Sequence, residues 1–152
     1  MAILGIDPGR NGGMAVISSG KLTHLDDFHG AMVELRMCLQ RAGHIDLAIV
    51  EQQSYRPGQK GVAQTLVAYG KILGFLEALK IPLITVRPQM WQQGLGLPKR
   101  PATAAGRKLH KADIAQIVEA RFPDAQIRTE RGTLLDGRAD AVMIALNGAK
   151  TA

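Results

Sequence analysis

Four carboxylates stand where they could do chemistry. Asp7 closes the apolar run Ala2-Ile3-Leu4-Gly5-Ile6 and opens the dense turn signal Pro8-Gly9-Arg10-Asn11-Gly12-Gly13. Glu51 closes a second apolar run, Leu47-Ala48-Ile49-Val50. Strand ends on one edge of an α/β sheet are where ligands usually bind. Asp136 and Asp140 lie four apart at the start of a largely apolar segment, so on a helix they share a face. If the two strands are neighbours and this helix packs across them, four carboxylates converge. Carboxylates at such range repel and raise one another's pKa, and a divalent cation relieves the strain. An all-oxygen set suits magnesium, with manganese as a substitute. Two such ions about 3.5–4 Å apart activate a water and stabilise the leaving oxygen of a phosphodiester. Each acid also has a plainer reading. Asp7 suits an Asx turn, Glu51 a solvent boundary, Asp136 a helix N-cap, and Asp140 the positive end of a helix dipole.

The elements that must position these acids follow from the hydropathy pattern. Strands are expected over 2–7, 14–18, 22–28, 46–51 and 82–86, and helices over 31–42, 61–79, 88–95, 110–122 and 136–149. The basic stretch 97–109, rich in Pro, Ala and Gly, reads as a mobile loop. Three meandering strands followed by α/β units indicate a five-stranded mixed sheet with helices on both faces. The continuous apolar centre of 46–51 fits a strand covered on both sides.

Composition narrows the chemistry further. The 152 residues, 46% hydrophobic and 21% charged, fit a single domain over 1–152. Residues 52–112 hold ten bases and one acid, Glu77, while the rest holds nine bases and twelve acids. The whole excess behind the net charge of +6 therefore lies in one central block, as an anion-binding face requires. An acidic metal site beside a basic surface is what a metal-dependent nuclease needs. The lone Cys38 excludes an internal disulfide framework and a Cys-based zinc site, and fits a reducing cytoplasm. No apolar run reaches the ~20 residues of a membrane helix. The N-terminal run meets a charge after six residues and reads as a buried strand rather than a signal peptide.

The motifs resemble those of a known family. Ile3-Leu4-Gly5-Ile6-Asp7-Pro8-Gly9 resembles the first motif of the RuvC family of Holliday-junction resolvases, and Ala48-Ile49-Val50-Glu51-Gln52 is similar to its second. Asp136-Gly137-Arg138-Ala139-Asp140-Ala141-Val142-Met143-Ile144-Ala145 resembles the family's C-terminal acidic helix in its phage-type form. Order and separation match along nearly the whole chain. The resemblance implies a ribonuclease H-like fold, a homodimer, and magnesium-dependent symmetric nicking of four-way DNA junctions that leaves 5′-phosphate and 3′-hydroxyl ends. It makes Asp7, Glu51, Asp136 and Asp140 the ligands of two metal ions, and points to a cytoplasmic site of action and a phage or prophage source. No nucleotide cofactor is implied. The chain departs from cellular members at Gly137, since they space their last two ligands three apart. It departs again at Ser54, where they carry an aromatic residue that wedges into the junction; here Tyr55 follows instead.

Further residues have assignable roles. Tyr55 could stack on an unpaired base, or be a loop tyrosine with no partner. Arg56, Lys60, Lys99, Arg100, Arg107, Lys108 and Lys111 are expected to contact DNA phosphates, and Lys108 or Lys111 could place positive charge near the scissile phosphate. Gly70 and Gly74 on the long helix would let a second backbone approach, from a partner copy or from the chain's own sheet. Trp91 reads as a core or helix anchor, and His110 as a helix-start residue or phosphate contact. Three alternatives stay open: a non-catalytic junction-binding protein, a related RNA-processing nuclease, and an actin-like phosphotransferase. The last needs two lobes, for which 152 residues leave little room.

Overall fold

The computed structural model describes residues 1–54, 61–97 and 103–151. Its strands are β1 (Ala2–Asp7), β2 (Gly12–Ser18), β3 (Lys21–Phe28), β4 (Leu47–Glu51) and β5 (Leu83–Val86). Its helices are α1 (Met32–Ala42), α2 (Val62–Ala78), α3 (Pro88–Gly94), α4 (Ala104–Arg121) and α5 (Asp136–Thr151). The strands form one sheet in the order β3-β2-β1-β4-β5. β1 pairs antiparallel with β2, and β2 with β3, as a meander. β1 pairs parallel with β4, and β4 with β5, each through a helical crossover. This is the mixed sheet that the pattern predicts.

Period-two alternation divides the strand residues between two cores. Leu4, Ile6, Met14, Val16, Ala48 and Val50 pack with Leu35 and Cys38 of α1 and Ile72 and Leu76 of α2. Ile3, Ala15, Ile17 and Ile49 point the other way, into a cluster with Trp91, with Ile114 and Val118 of α4, and with the apolar stretch 141–146 of α5. Each fully buried aliphatic side chain stabilises the fold by about 1.5–3 kcal/mol. The sheet is thus covered on both faces. Asp7 continues the series Ile3, Gly5, and Glu51 continues Leu47, Ile49. Both acids therefore fall on the face covered by α4 and α5.

α5 lies against the sheet backbone itself. A Cβ on Gly5 would run into the Ala141 carbonyl and Ala145, and one on Gly137 would run into the Asn11 carbonyl and Gly12. Glycine at both positions is what permits the approach. The helix starts over the β1–β2 turn, crosses β1 at Gly5, and reaches Ile49 at Gly148. Its first turn is thereby set beside the C-terminal end of β1.

One expectation changes. The basic stretch is not loop up to residue 109: α4 begins at Ala104. The Thr103 side chain accepts a hydrogen bond from the Gly106 amide at 3.1 Å and caps the first turn. The cap and the two alanines after it offset the weak helix propensity of Gly106 in the first turn. His110 is consequently a mid-helix residue, only 3% exposed, rather than a helix start facing phosphate. Among the described residues no helix is long and apolar enough to cross a membrane.

Candidate active site

β1 and β4 run parallel with Ile6 opposite Val50. The next residues, Asp7 and Glu51, leave adjacent strands at one level and on one face, with backbones about 4.8 Å apart. Asp7 is buried at 9% exposure. Its Oδ1 accepts the Gly9 amide at 2.9 Å, so the Asx turn does form, and the same residue can serve turn and site. Burial is the main force that pushes the Asp7 carboxyl up to about 7, and the Glu51 charge adds to it. The Gly9 amide and the Lys111 ammonium pull the other way.

Glu51 is held by two side chains. Oε1 accepts the Trp91 indole N–H at 2.9 Å, and Oε2 lies 3.4 Å from the Gln53 amide nitrogen. The Gln52 amide donates to the Val86 carbonyl at 2.8 Å, which carries the β4–β5 ladder one step past Glu51. Trp91 is 1% exposed and does sit in the core, as expected. Its polar contact to Glu51 has no signal in the sequence, because 40 residues separate the two.

Asp136 is the first residue of α5 and pairs with Lys111 of α4. Lys111 also acts electrostatically on Asp7, where its positive charge favours the ionised carboxylate. That distinguishes Lys111 from Lys108, which is exposed one turn earlier. Arg107 is half-buried on the same helix. Asp140 is half-buried one turn after Asp136, between the buried Ala139 and Ala141. Arg138 donates to both Asp27 oxygens at 2.7 and 2.9 Å and to the Gln126 carbonyl at 2.8 Å. This fork ties the first turn of α5 to β3, and its hydrogen bonds hold the Asp27 carboxyl below the usual range. The sequence reading assigned Arg138 no role. Tyr55, Arg56, Lys60, Lys99 and Arg100 lie outside the described residues.

The site meets open space on two sides. A cavity of about 530 Å³ runs from Glu51 past Gln53, Ser54, Arg87 and Gln89. Another of about 600 Å³ is lined by Pro8, Gly9, Arg10, His29 and Gln64. Among the described residues no three His, Cys, Asp or Glu side chains gather closely enough to hold a metal ion. The donor chemistry nevertheless fits a hard divalent cation. Magnesium commonly takes one or two protein carboxylates and completes its shell with water and substrate phosphate. The buried Asp7 and the half-buried Glu51 offer such a set, with Asp136 and Asp140 on α5.

Neither a protein-family model nor a curated protein sequence matches the chain. Solved structures do. RuvC of T. thermophilus in complex with a Holliday junction substrate aligns with a TM-score of 0.68 and 23% identity, over 98% of this chain and 92% of that one. Fowlpox virus resolvase in complex with substrate Holliday junction DNA aligns at 0.66 and 17%, over 99% and 98%. The yeast mitochondrial Holliday junction resolvase aligns at 0.52 and 16%, over 95% and 76%. The chain has the ribonuclease H-like fold of these proteins, in agreement with the fold that its motifs imply.

Proposed function

We propose that the chain is a structure-selective DNA endonuclease that resolves four-way junctions by metal-dependent phosphodiester hydrolysis. One observation carries this reading: the buried Asp7 and the half-buried Glu51 at adjacent strand ends, with the acidic start of α5 beside them. It occurs on a fold whose structural neighbours include resolvases bound to Holliday junction DNA. Asp7 and Glu51, with Asp136 and Asp140, would hold two magnesium ions, and manganese would substitute. When bound, the ions supply an activated water and stabilise the leaving oxygen.

The chain's own groups do the rest. The Gly9 amide fixes one oxygen of Asp7. Lys111 brings a fixed positive charge to the site, where it favours the charge that develops on a scissile phosphate. The arms of the junction rest on basic groups: Arg107, Lys108 and Lys111 of α4, together with Arg56, Lys60, Lys99 and Arg100. Tyr55 stacks at the junction centre. The products carry 5′-phosphate and 3′-hydroxyl ends.

The active species in this reading is a homodimer working in the cytoplasm, because a two-fold pair presents two identical sites for two symmetric cuts. Ala63, Val67, Gly70 and Gly74 form an exposed stripe along α2, and a Cβ at either glycine would meet nothing. A second copy of α2 can lie in that stripe at close range.

The test is incubation with a labelled immobile four-way junction and a matched linear duplex, in magnesium and in EDTA. Paired symmetric nicks confined to the junction and dependent on magnesium are expected. Tight junction binding with no cutting in magnesium or manganese would replace this reading with a non-catalytic junction binder.

A further inference from the structure

We propose that Trp91 is a positioning residue for the cation site: its indole N–H fixes the Glu51 carboxylate and so sets the affinity for the divalent ion. The inference rests on the reading of Asp7 and Glu51 as cation ligands. Packing alone accounts for a buried aromatic at position 91, which lies among the α4 and α5 side chains. Packing does not account for where its one polar atom points. The indole nitrogen is a donor only, and a buried donor must find an acceptor. Here the acceptor is a carboxylate oxygen of the candidate site, at 2.9 Å.

The backbone makes that aim reproducible. Glu51 and Val86 are paired across β4 and β5, and the Gln52 amide locks to the Val86 carbonyl. α3 starts two residues after Val86, with Pro88 in its first turn. Trp91 therefore stands one turn into a helix whose origin is fixed to the same ladder as Glu51. The hydrogen bond stops the carboxylate from rotating. It engages Oε1, while Oε2 lies 3.4 Å from the Gln53 side-chain nitrogen. Groups that orient metal ligands in this way typically change metal affinity or activity 10–100-fold when removed. Tryptophan at this position couples the apolar core under α5 to the metal-binding edge of the sheet.

Trp91→Phe keeps most of the volume and deletes the N–H. Calorimetric titration with Mn²⁺ alone measures affinity without any turnover, and junction cutting against magnesium concentration measures demand for the ion. Trp91→Phe should bind Mn²⁺ about tenfold more weakly and need about tenfold more magnesium. It should cut at close to the wild-type rate at saturating metal and bind the junction in EDTA as wild type does. A folded Trp91→Phe with wild-type Mn²⁺ affinity and metal demand would overturn the inference and leave the nuclease reading standing. Should the phenylalanine variant not fold, benzothienylalanine can replace the sole tryptophan throughout the chain. It matches indole in shape, lacks the N–H, and faces the same two outcomes. Trp91-dependent Mn²⁺ binding in a chain that cuts no junction would keep the positioning role and remove the nuclease reading. A wild-type chain that binds no Mn²⁺ would overturn the inference as well.

Discussion

Asp7 is a carboxyl kept from solvent beside another carboxylate, and its titration has consequences for stability. Its folded pKa of about 7 stands above the 3.8 of an unperturbed aspartate. Between those values the native chain holds a proton that the unfolded chain has released. Stability in the absence of metal therefore falls as pH rises from about 4 to about 7, and the loss is complete above that window. Asp7→Asn removes the ionising group. Scanning calorimetry of metal-free protein should find the variant melting above wild type at pH 8, with the gap closing towards pH 4. The same variant should cut junctions at least ~10²-fold more slowly, since it no longer carries the buried negative charge that a cation would answer. Equal melting at both pH values, or undiminished cutting, would remove Asp7 from its assigned place. Asp27 has the opposite sign. Its pKa is lowered, first by its hydrogen bonds to Arg138, so the pair stabilises at neutral pH and the contribution is lost as pH falls through the lowered value.

At the scale of elements, the placement of α5 governs the site. Gly5→Ala forces a methyl into the α5 backbone, and urea denaturation should register a loss of about 3 kcal/mol, at the upper end for overpacking. Arg138→Ala releases the first turn of α5 from β3. The partner Asp27 is 40% exposed, so solvent screening reduces the stability cost to about 1 kcal/mol, again read from urea curves. Thr103→Ala should cost a similar ~1 kcal/mol by removing the α4 cap. The elements themselves were legible because their signals are local: alternation in the strands, three-and-four spacing in the helices, glycine and proline between them. α4 was the exception. Its first turn carries Gly106 and basic residues rather than an apolar stripe, and the Thr103 cap was the only signal that could have found it.

Over the whole molecule, charge and symmetry set the expectations. With the positive excess concentrated between residues 52 and 112, junction affinity should fall about 10³-fold or more between 50 and 200 mM salt if some six phosphates are neutralised. A fluorescence-anisotropy titration at several salt concentrations measures the slope, and a flat response would exclude this block as the DNA-binding face. Sedimentation at micromolar concentration should give twice the 16.3 kDa chain mass. Gly70→Leu, on an exposed face where a side chain meets nothing, should leave the fold intact and give the single-chain mass. Paired cutting would then be replaced by single nicks.

The four acids, the order of the strands and helices and the concentration of positive charge were all readable in the sequence. Each follows from residue type and short-range spacing, which a single sequence carries in full. The sharing of one face by Asp7 and Glu51 followed only once β1 and β4 were known to be parallel neighbours, after which period two decides it. What tertiary structure alone decided is the partner of each charged group. Trp91 reaches Glu51 across 40 residues, Lys111 reaches Asp136 across 25, and Arg138 reaches Asp27 across 111. These pairs depend on how helices seat against the sheet, a matter of packing volumes and close backbone approach that no local propensity encodes. The raised pKa of Asp7 is decided the same way, since its main cause is burial beneath elements distant in the chain.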